Sequence, residues 1–217
     1  MGLSLLAVHL SDGAIATSWW AAGFGGAAIL LLPAWWRLTE DEIPRIGVLT
    51  AAFFVASSIH FKLGVTSVHL ILNGLVGVVL GRRAPLAITV GLVLQYLLVA
   101  HGGYTTLGLN ACIIGLPAII AGWLFPILRR AGVPAFAAGC VLGVFAAGGA
   151  VGLNFLVLLL GGKDDFETLA KLVLLAHIPV VIVEGLMLGV IVQYLEKVKP
   201  ELLGVPRPKP PDEDLSW

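Results

Sequence analysis

The 217-residue chain has few charged side chains, only 12% of the total, whereas 59% of its residues are hydrophobic. An average soluble domain has about 25% charged residues, so this chain has too little polar surface to cover a water-soluble globule. Two cysteines are too few for a disulfide-stabilised secreted scaffold, and the apolar content excludes intrinsic disorder. The 13 basic and 13 acidic side chains cancel, which leaves no basic footprint for nucleic acid. The composition indicates a polytopic membrane protein.

Seven apolar stretches reach, or nearly reach, the length of about 20 residues that a helix needs to cross a bilayer. They are residues 17–36, 46–61, 64–81, 85–100, 107–128, 134–161 and 171–195. The second and third are short and only Lys62 and Leu63 divide them, so a re-entrant segment is the alternative there. The predicted fold is an all-α membrane protein with about seven transmembrane helices over residues 17–195. An N-terminal segment, residues 1–16, precedes them, and a Pro-rich tail, residues 196–217, follows.

Basic residues in the predicted loops are concentrated on one side of the membrane. With seven spans, ten of the thirteen fall on one side and three on the other. Lys and Arg of short loops favour the cytoplasmic side, so we expect the N-terminus outside and the C-terminus in the cytoplasm. The larger set is Arg37, Arg45, Arg82, Arg83, Arg129, Arg130, Lys197, Lys199, Arg207 and Lys209, and the smaller is Lys62, Lys163 and Lys171.

Histidines mark the predicted outer face, with His177 about two turns into the last span from that side. Imidazole is a good ligand for nickel, copper, zinc and iron, so an outward cluster predicts capture of a transition-metal ion. Taken singly, each histidine is more often a hydrogen-bonding or interfacial residue than a ligand. His60, at the end of the second span, is predicted to be interfacial. The others at this face are His9, His69 and His101.

Glu184 is an acidic residue well inside a predicted span, where an ionised carboxylate is costly. It lies seven residues after His177, so two helical turns place both on one face. Pro179 between them removes a backbone donor and predicts a kink. Two interpretations are open: the carboxyl group holds helices together through hydrogen bonds, or it handles the transported substrate.

The sequence contains no nucleotide-binding loop, and we expect no enzymatic activity. The Gly-Lys pair at Gly162 and Lys163 fails the Walker A pattern, because Val157 stands five positions before Gly162 and Asp164 follows the lysine. Uphill uptake would therefore need a separate ATPase or an ion gradient. Two alternatives are a gradient-driven metal permease and an intramembrane metalloenzyme. The first predicts inverted repeats, and no repeat is present. The second needs either an H-E-x-x-H-like arrangement, which the sequence lacks, or three convergent protein ligands with an open position.

Four stretches together resemble one family. They are His9-Leu10-Ser11-Asp12-Gly13, residues 66–75 (TSVHLILNGL), residues 100–110 (AHGGYTTLGLN) and residues 176–185 (AHIPVVIVEG). The first is similar to the N-terminal Met-His-Ile-x-Asp/Glu-Gly motif of the CbiM/NikM proteins. These are the metal-capturing membrane subunits, or S components, of energy-coupling-factor transporters for cobalt and nickel. The matches extend over residues 9–185.

The resemblance implies a seven-helix protein of the plasma (inner) membrane that binds Co(II) or Ni(II) as its transported substrate, with no cofactor of its own. It also implies a near square-planar set of nitrogen ligands, which suits Ni(II). These are the N-terminal amine, the backbone nitrogen and imidazole of His9, and the imidazole of His69. Asp12, Asn73 and His101 are implied to orient the ligands, while His177 and Glu184 are further candidates. The implied partners are a transmembrane coupling subunit, ABC-type ATPase subunits and a small accessory membrane subunit.

The sequence departs from the family pattern at the amine ligand. In the family the histidine is the second residue, whereas here Val8 stands before His9 and seven residues precede Val8. A functional chain that begins at Val8 would supply the free amine. Otherwise the extension is retained and another donor, such as His101, completes the coordination.

Overall fold

The computed structural model describes residues 9–63, 66–163 and 166–204, so Val8 and the tail from residue 205 lie outside the described residues. Within those ranges the chain is mainly helical and carries one antiparallel pair of strands. The helices are α1 (Thr17–Trp35), α2 (Ile43–Ser58), α3 (Asn73–Leu80), α4 (Ala84–Val99), α5 (Leu107–Arg130), α6 (Ala135–Gly161), α7 (Glu167–Ala176) and α8 (Ile178–Val198). The strands are β1 (Phe61–Leu63) and β2 (Thr66–Val68), and 3₁₀ turns occupy Glu40–Glu42, Gly81–Arg83 and Pro200–Leu203.

Five helical stretches of the described chain are long and apolar enough to cross a membrane, which makes this a multi-pass membrane protein. Two of them contain an interruption of the helix, since α3 and α4 count as one stretch and α7 and α8 as another. The 16-residue α2 is not among them. The count of seven spans and the orientation of the termini stay predictions. The five stretches are Thr17–Trp35, Asn73–Val99, Leu107–Arg130, Ala135–Gly161 and Glu167–Val198.

The prediction of a third helical span over residues 64–81 is wrong over residues 66–72. Residues 66–68 form strand β2, which pairs with β1 in the register Phe61 to Val68, and the helix α3 starts only at Asn73. An apolar run does not by itself distinguish a helix from buried extended chain. Here the amides of Ile71 and Leu72, just before α3, donate hydrogen bonds to the carboxylate of Glu184 on α8. These two amides are therefore satisfied without belonging to a helix. Gly81, with φ of +52°, then ends α3 before the turn into α4.

The predicted kink near Pro179 is confirmed. The last predicted span is divided into α7 and α8, and His177 is the residue between them. Proline at the second position of α8 lacks an amide hydrogen and clashes with a continuing helix on its N-terminal side. The His177 side chain at this interruption lies in the interior, with 0% of its surface exposed.

Glycines let the helices that carry the site approach closely. A Cβ at Gly143 of α6 would lie 2.8 Å from Cα of Gly185 on α8, and a Cβ at Gly108 of α5 would lie 2.6 Å from the amide nitrogen of Phe24 on α1. Small residues at such crossings allow backbones to pack against each other in a membrane protein. These contacts fix α8 against α6 and the start of α5 against α1.

The two ends of α4 differ in their chemistry. At its start, buried Arg83 donates hydrogen bonds to the backbone oxygens of Ala34, Trp36 and Arg37 and pairs with Glu42 at 2.7 Å. These bonds join the end of α1 to the beginning of α2 and α4, and the Arg83 guanidinium lowers the pKa of Glu42 to about 2. At the other end α4 leads into His101. Arg83 and His101 therefore lie at opposite ends of α4.

Candidate metal centre

The N-terminal segment before α1 is fixed by the start of α5. The Asn110 side chain accepts a hydrogen bond from the Leu10 amide at 2.9 Å and donates one to the Leu10 carbonyl oxygen at 3.0 Å. The Thr106 hydroxyl also donates to that oxygen at 2.6 Å. Because the backbone of Leu10 is held on both its polar groups, the neighbouring His9 ring has a defined position, and only 1% of His9 is exposed.

Asp12 ties the same segment to the loop that follows His101. Its carboxylate accepts hydrogen bonds from the amides of Tyr104 and Thr105, at 3.0 and 2.8 Å, and from the Thr105 hydroxyl at 2.6 Å. Partial burial acts to raise the pKa of Asp12, but these hydrogen bonds to the ionised form outweigh it and lower the pKa. These contacts join the segment that carries His9 to the loop after His101.

His69 lies on the extended segment between β2 and α3. Its Nδ1–H donates to the Leu70 carbonyl oxygen at 2.9 Å, which leaves Nε2 as the free lone pair. The next two amides, of Ile71 and Leu72, donate to the carboxylate of Glu184 on α8, the latter at 2.9 Å. The Glu184 carboxylate thus meets the beginning of α3, where helix amides lack partners within the helix. The contacts of Glu184 fit the hydrogen-bonding interpretation, since they hold the segment that carries His69.

Three histidines from distant parts of the chain meet at one point. The candidate ligand nitrogens of His9, His69 and His101 all lie within 4.8 Å of one another. The His9 ring centroid is 4.9 Å from that of His69 and 4.8 Å from that of His101. Neither nitrogen of His9, nor Nε2 of His69, has a hydrogen-bond partner among the described residues. Such neutral nitrogen donors can coordinate late first-row divalent ions.

The prediction that His60 is merely interfacial is wrong. The β1–β2 hairpin follows directly after it, and its ring stands 4.9 Å from His69 and 4.3 Å from His101, measured between centroids. Its Nε2 lies 3.3 Å from Nε2 of His101. A residue at the end of a helix can face the bundle as easily as the membrane surface, and sequence position does not separate the two cases.

The remaining sequence candidates surround the cluster. His177 donates from Nδ1 to the Val173 carbonyl oxygen at 2.7 Å, and its ring centroid is 6.4 Å from that of His69. Asn73 donates to the carbonyl oxygens of Ile114 and Ala146, so its amide bridges α3 to α5 and α6. The structure therefore brings His9, His69 and His101 together and places the other candidates against backbone or behind the rings. Val8 lies outside the described residues.

Burial makes this an uncharged cluster. Loss of hydration lowers the pKa of His69 to about 3 and that of His101 to about 4. The pKa of His9 is also well below its usual value, first because of burial and then because of the neighbouring histidines. A metal ion binds the neutral imidazole, so these shifts keep the donors ready at neutral pH.

Asn110 and Thr106 are site residues that the sequence analysis did not select. Both belong to the stretch AHGGYTTLGLN, and their partner is Leu10, 100 residues from Asn110. An asparagine on a membrane helix more often bridges helices than supports a binding site. The signal that could have selected Asn110 is its place in this family-like stretch.

The comparisons with known proteins agree on a family. A family model described as "Cobalt uptake substrate-specific transmembrane region" matches residues 9–202. A "Putative metal transport protein" of Haemophilus influenzae is 36% identical over 202 residues, covering 90% of this chain and 97% of that protein. A "Putative fused cobalt transport protein CbiMQ" of Methanocorpusculum labreanum is 24% identical, over 90% of this chain and 36% of its own length.

The fold also matches a solved structure. The crystal structure of a transition metal transporter aligns with a TM-score of 0.75 over 88% of this chain and 93% of that one. Its sequence identity is 20%, so this likeness concerns the fold alone. The family match over residues 9–202 and the relative at 36% identity show that the chain belongs to the CbiM family of cobalt transport membrane proteins.

Proposed function

We propose that this chain captures Co(II) or Ni(II) at the outer face of the plasma (inner) membrane, as the substrate-binding subunit of an energy-coupling-factor ABC transporter. One observation carries the proposal: the ligand nitrogens of His9, His69 and His101 converge within 4.8 Å from three separate segments. In this account His9 and His69 are ligands and His101 completes or orients them. Val8 supplies an amine ligand if the functional chain begins there.

The cluster favours a borderline divalent ion over Mg²⁺ or Ca²⁺. Those two ions prefer oxygen ligands, whereas the converging donors here are imidazole nitrogens. Asp12 is occupied by three hydrogen bonds from Tyr104 and Thr105 and serves to position the segment that carries His9.

The energy for uptake comes, in this proposal, from partner subunits. The sequence holds no Walker A loop, so ATP hydrolysis is assigned to ABC-type ATPase subunits docked through a transmembrane coupling subunit, with a small accessory membrane subunit. The relative named as a fused CbiMQ supports a membrane partner, because this chain corresponds to only 36% of its length.

Transport in proteoliposomes tests this assignment against its rivals. Co(II) should accumulate only when the coupling and ATPase subunits are present and ATP is supplied. Accumulation driven by an ion gradient with this chain alone would make it a permease and contradict the proposal.

The proposed orientation predicts which cysteines can be labelled from outside. Tyr104 is 63% exposed near the histidine cluster, and Arg82 is exposed at the basic end of α3. In a background without Cys112 and Cys140, Tyr104→Cys should react with a membrane-impermeant maleimide in intact cells, and Arg82→Cys only after permeabilisation. The reverse labelling pattern would show that the protein has the opposite orientation in the membrane.

Metal binding by the full 217-residue chain, in which the nitrogen of residue 8 is not a free amine, should be insensitive to mild acid. An ordinary imidazole titrates near pH 6.5, so at pH 5.5 protons would weaken binding about tenfold for each histidine. Because the pKa values of His69 and His101 are lowered to about 3 and about 4, we expect Co(II) affinity to change less than about threefold between pH 7.5 and 5.5. Equilibrium dialysis across that range measures it. A steep loss centred near pH 6.5 would show that the imidazoles are not desolvated.

A further inference from the structure

An open groove, the α1–α4 groove, separates the second half of α1 from the first half of α4. Its volume is about 470 Å³, and its lining is apolar apart from the Thr89 side chain. The stretch of α1 that lines it, from Ala28 to Trp35, is about 10 Å long, whereas the hydrocarbon of one leaflet is about 15 Å thick. Both helices belong to stretches that can cross a membrane. The groove therefore has the length and the chemistry to hold most of one lipid acyl chain.

Two arginines stand at the same end of this groove. Arg37 follows the lining residue Trp35 by two positions. Arg82 precedes the lining residue Leu86 by four. Both arginines are exposed, and neither forms an ion pair among the described residues. Arg83 differs, because it is buried and its guanidinium is used in hydrogen bonds inside the protein. The charges of Arg37 and Arg82 are therefore available to an external anion.

The acidic residues of the 3₁₀ turn after α1 do not cancel this charge. Glu42 pairs with Arg83 at 2.7 Å. Asp41 lines a different pocket, which also contains Arg45. Glu40 is thus the acid of that turn that stands against the two unpaired arginines. The end of the α1–α4 groove is net positive.

Trp35 and Trp36 place this positive end at the boundary between hydrocarbon and water. Each is 68% exposed, and tryptophan is enriched at the level of the lipid headgroups. A guanidinium recognises a phosphate through its paired N–H donors. A lipid with its acyl chain in the groove would have its phosphate at the level of the two arginines.

We propose that the α1–α4 groove binds one anionic phospholipid, with an acyl chain between the two helices and the headgroup phosphate on Arg37 and Arg82. In the orientation proposed above, the lipid belongs to the cytoplasmic leaflet, whose anionic lipids attract basic residues next to membrane helices. The site lies at the end of α4 opposite to His101. Lipid binding is therefore separate from metal capture.

Native mass spectrometry of the full chain in detergent tests the charge requirement. The probes are palmitoyl-oleoyl phosphatidylglycerol and palmitoyl-oleoyl phosphatidylethanolamine, which share their acyl chains and differ in net charge. One phosphatidylglycerol should bind, at least about fivefold more tightly than phosphatidylethanolamine. Since each arginine near a headgroup contributes about fivefold, the double variant Arg37→Gln/Arg82→Gln should bind it at least about tenfold more weakly. Arg130→Gln, exposed at the end of α5, is the matched control and should change the affinity less than about twofold.

Ala28→Phe tests the groove. Ala28 is exposed, so the new ring enters the groove without replacing a buried side chain. The ring takes the place of the acyl chain, and phosphatidylglycerol should bind at least about fivefold more weakly. Ala22→Phe, at an exposed position of α1 outside the lining, should bind the lipid as the unsubstituted protein does. Co(II) affinity should be the same in all of these variants.

Three results would overturn the lipid site and leave metal capture standing. The first is equal binding of the two lipids, or unchanged phosphatidylglycerol binding in the double arginine variant. The second is a loss in Arg130→Gln or Ala22→Phe as large as in its partner variant. The third is the absence of a bound lipid from every form, combined with failure of Ala28→Phe to assemble with a coupling subunit. That last result would make the groove a protein interface.

Discussion

His69→Ala is expected to abolish tight Co(II) and Ni(II) binding while leaving the protein folded. Nε2 of His69 has no hydrogen-bond partner among the described residues, and His69 belongs to the histidine cluster. The substitution therefore removes a metal ligand without breaking a hydrogen bond made by Nε2. Changes to residues that only support ligands cost about 10–100-fold in affinity, and loss of a ligand should exceed that range. Equilibrium dialysis on detergent-solubilised protein measures the effect, with thermal unfolding as the check on folding.

Tyr104→Leu is the matched control for that variant. Tyr104 is an exposed aromatic residue near the same cluster, and its side chain contacts Phe24 and Tyr96 rather than the histidine rings. The Tyr104→Leu variant should bind Co(II) with an affinity within about threefold of that of the unsubstituted protein. Equal losses at His69 and Tyr104 would mean that substitutions near the cluster act through general disruption, and the specific site would be refuted.

Glu184→Ala is expected to have the second large effect, on both stability and metal affinity. It would leave the buried amides of Ile71 and Leu72 without the carboxylate that now accepts from both. An unsatisfied buried donor costs about 1–3 kcal/mol, so the variant should lose about 2–5 kcal/mol of unfolding free energy. His69, two residues before Ile71, should then be displaced, and the metal affinity of the protein should fall. Thermal unfolding and Co(II) dialysis report the two effects.

Glu184→Gln distinguishes positioning from a role for charge. The amide oxygen of glutamine can accept both hydrogen bonds, as Oε1 of Glu184 does now, so this variant should keep most of the stability and should still transport. Preserved folding and metal binding combined with lost transport would show that the carboxylate charge is needed for release or coupling, and would contradict a purely positioning role.

The sequence was sufficient for the features that depend on local composition. Long apolar runs predicted the helices that match α1, α4, α5 and α6 to within a few residues, because each run is helical throughout. Pro179 predicted the interruption at His177, since the missing amide acts within its own turn. His9 and His69 were selected through family-like motifs, and the structure brings them together.

The errors arose where distant residues decide the local structure. Residues 66–72 are not helical although they belong to a mostly apolar run, and Glu184, 113 residues after Ile71, satisfies the amides of Ile71 and Leu72. The His60 ring lies beside that of His69 because β1, which follows His60, pairs with β2, and His69 follows β2 directly. Asn110 recognises Leu10 across 100 residues. None of these pairings has a periodic signature in a single sequence.

Anomalous diffraction from a crystal of the Co(II)-loaded protein tests the central claim most directly. Data collected at the cobalt absorption edge locate the ion independently of the surrounding density. We expect one anomalous peak inside the cluster, within about 2.0–2.2 Å of imidazole nitrogens of His9, His69 and His101. A peak elsewhere in the protein, or no ordered peak from protein shown to be loaded with cobalt, would contradict capture of the ion by these histidines.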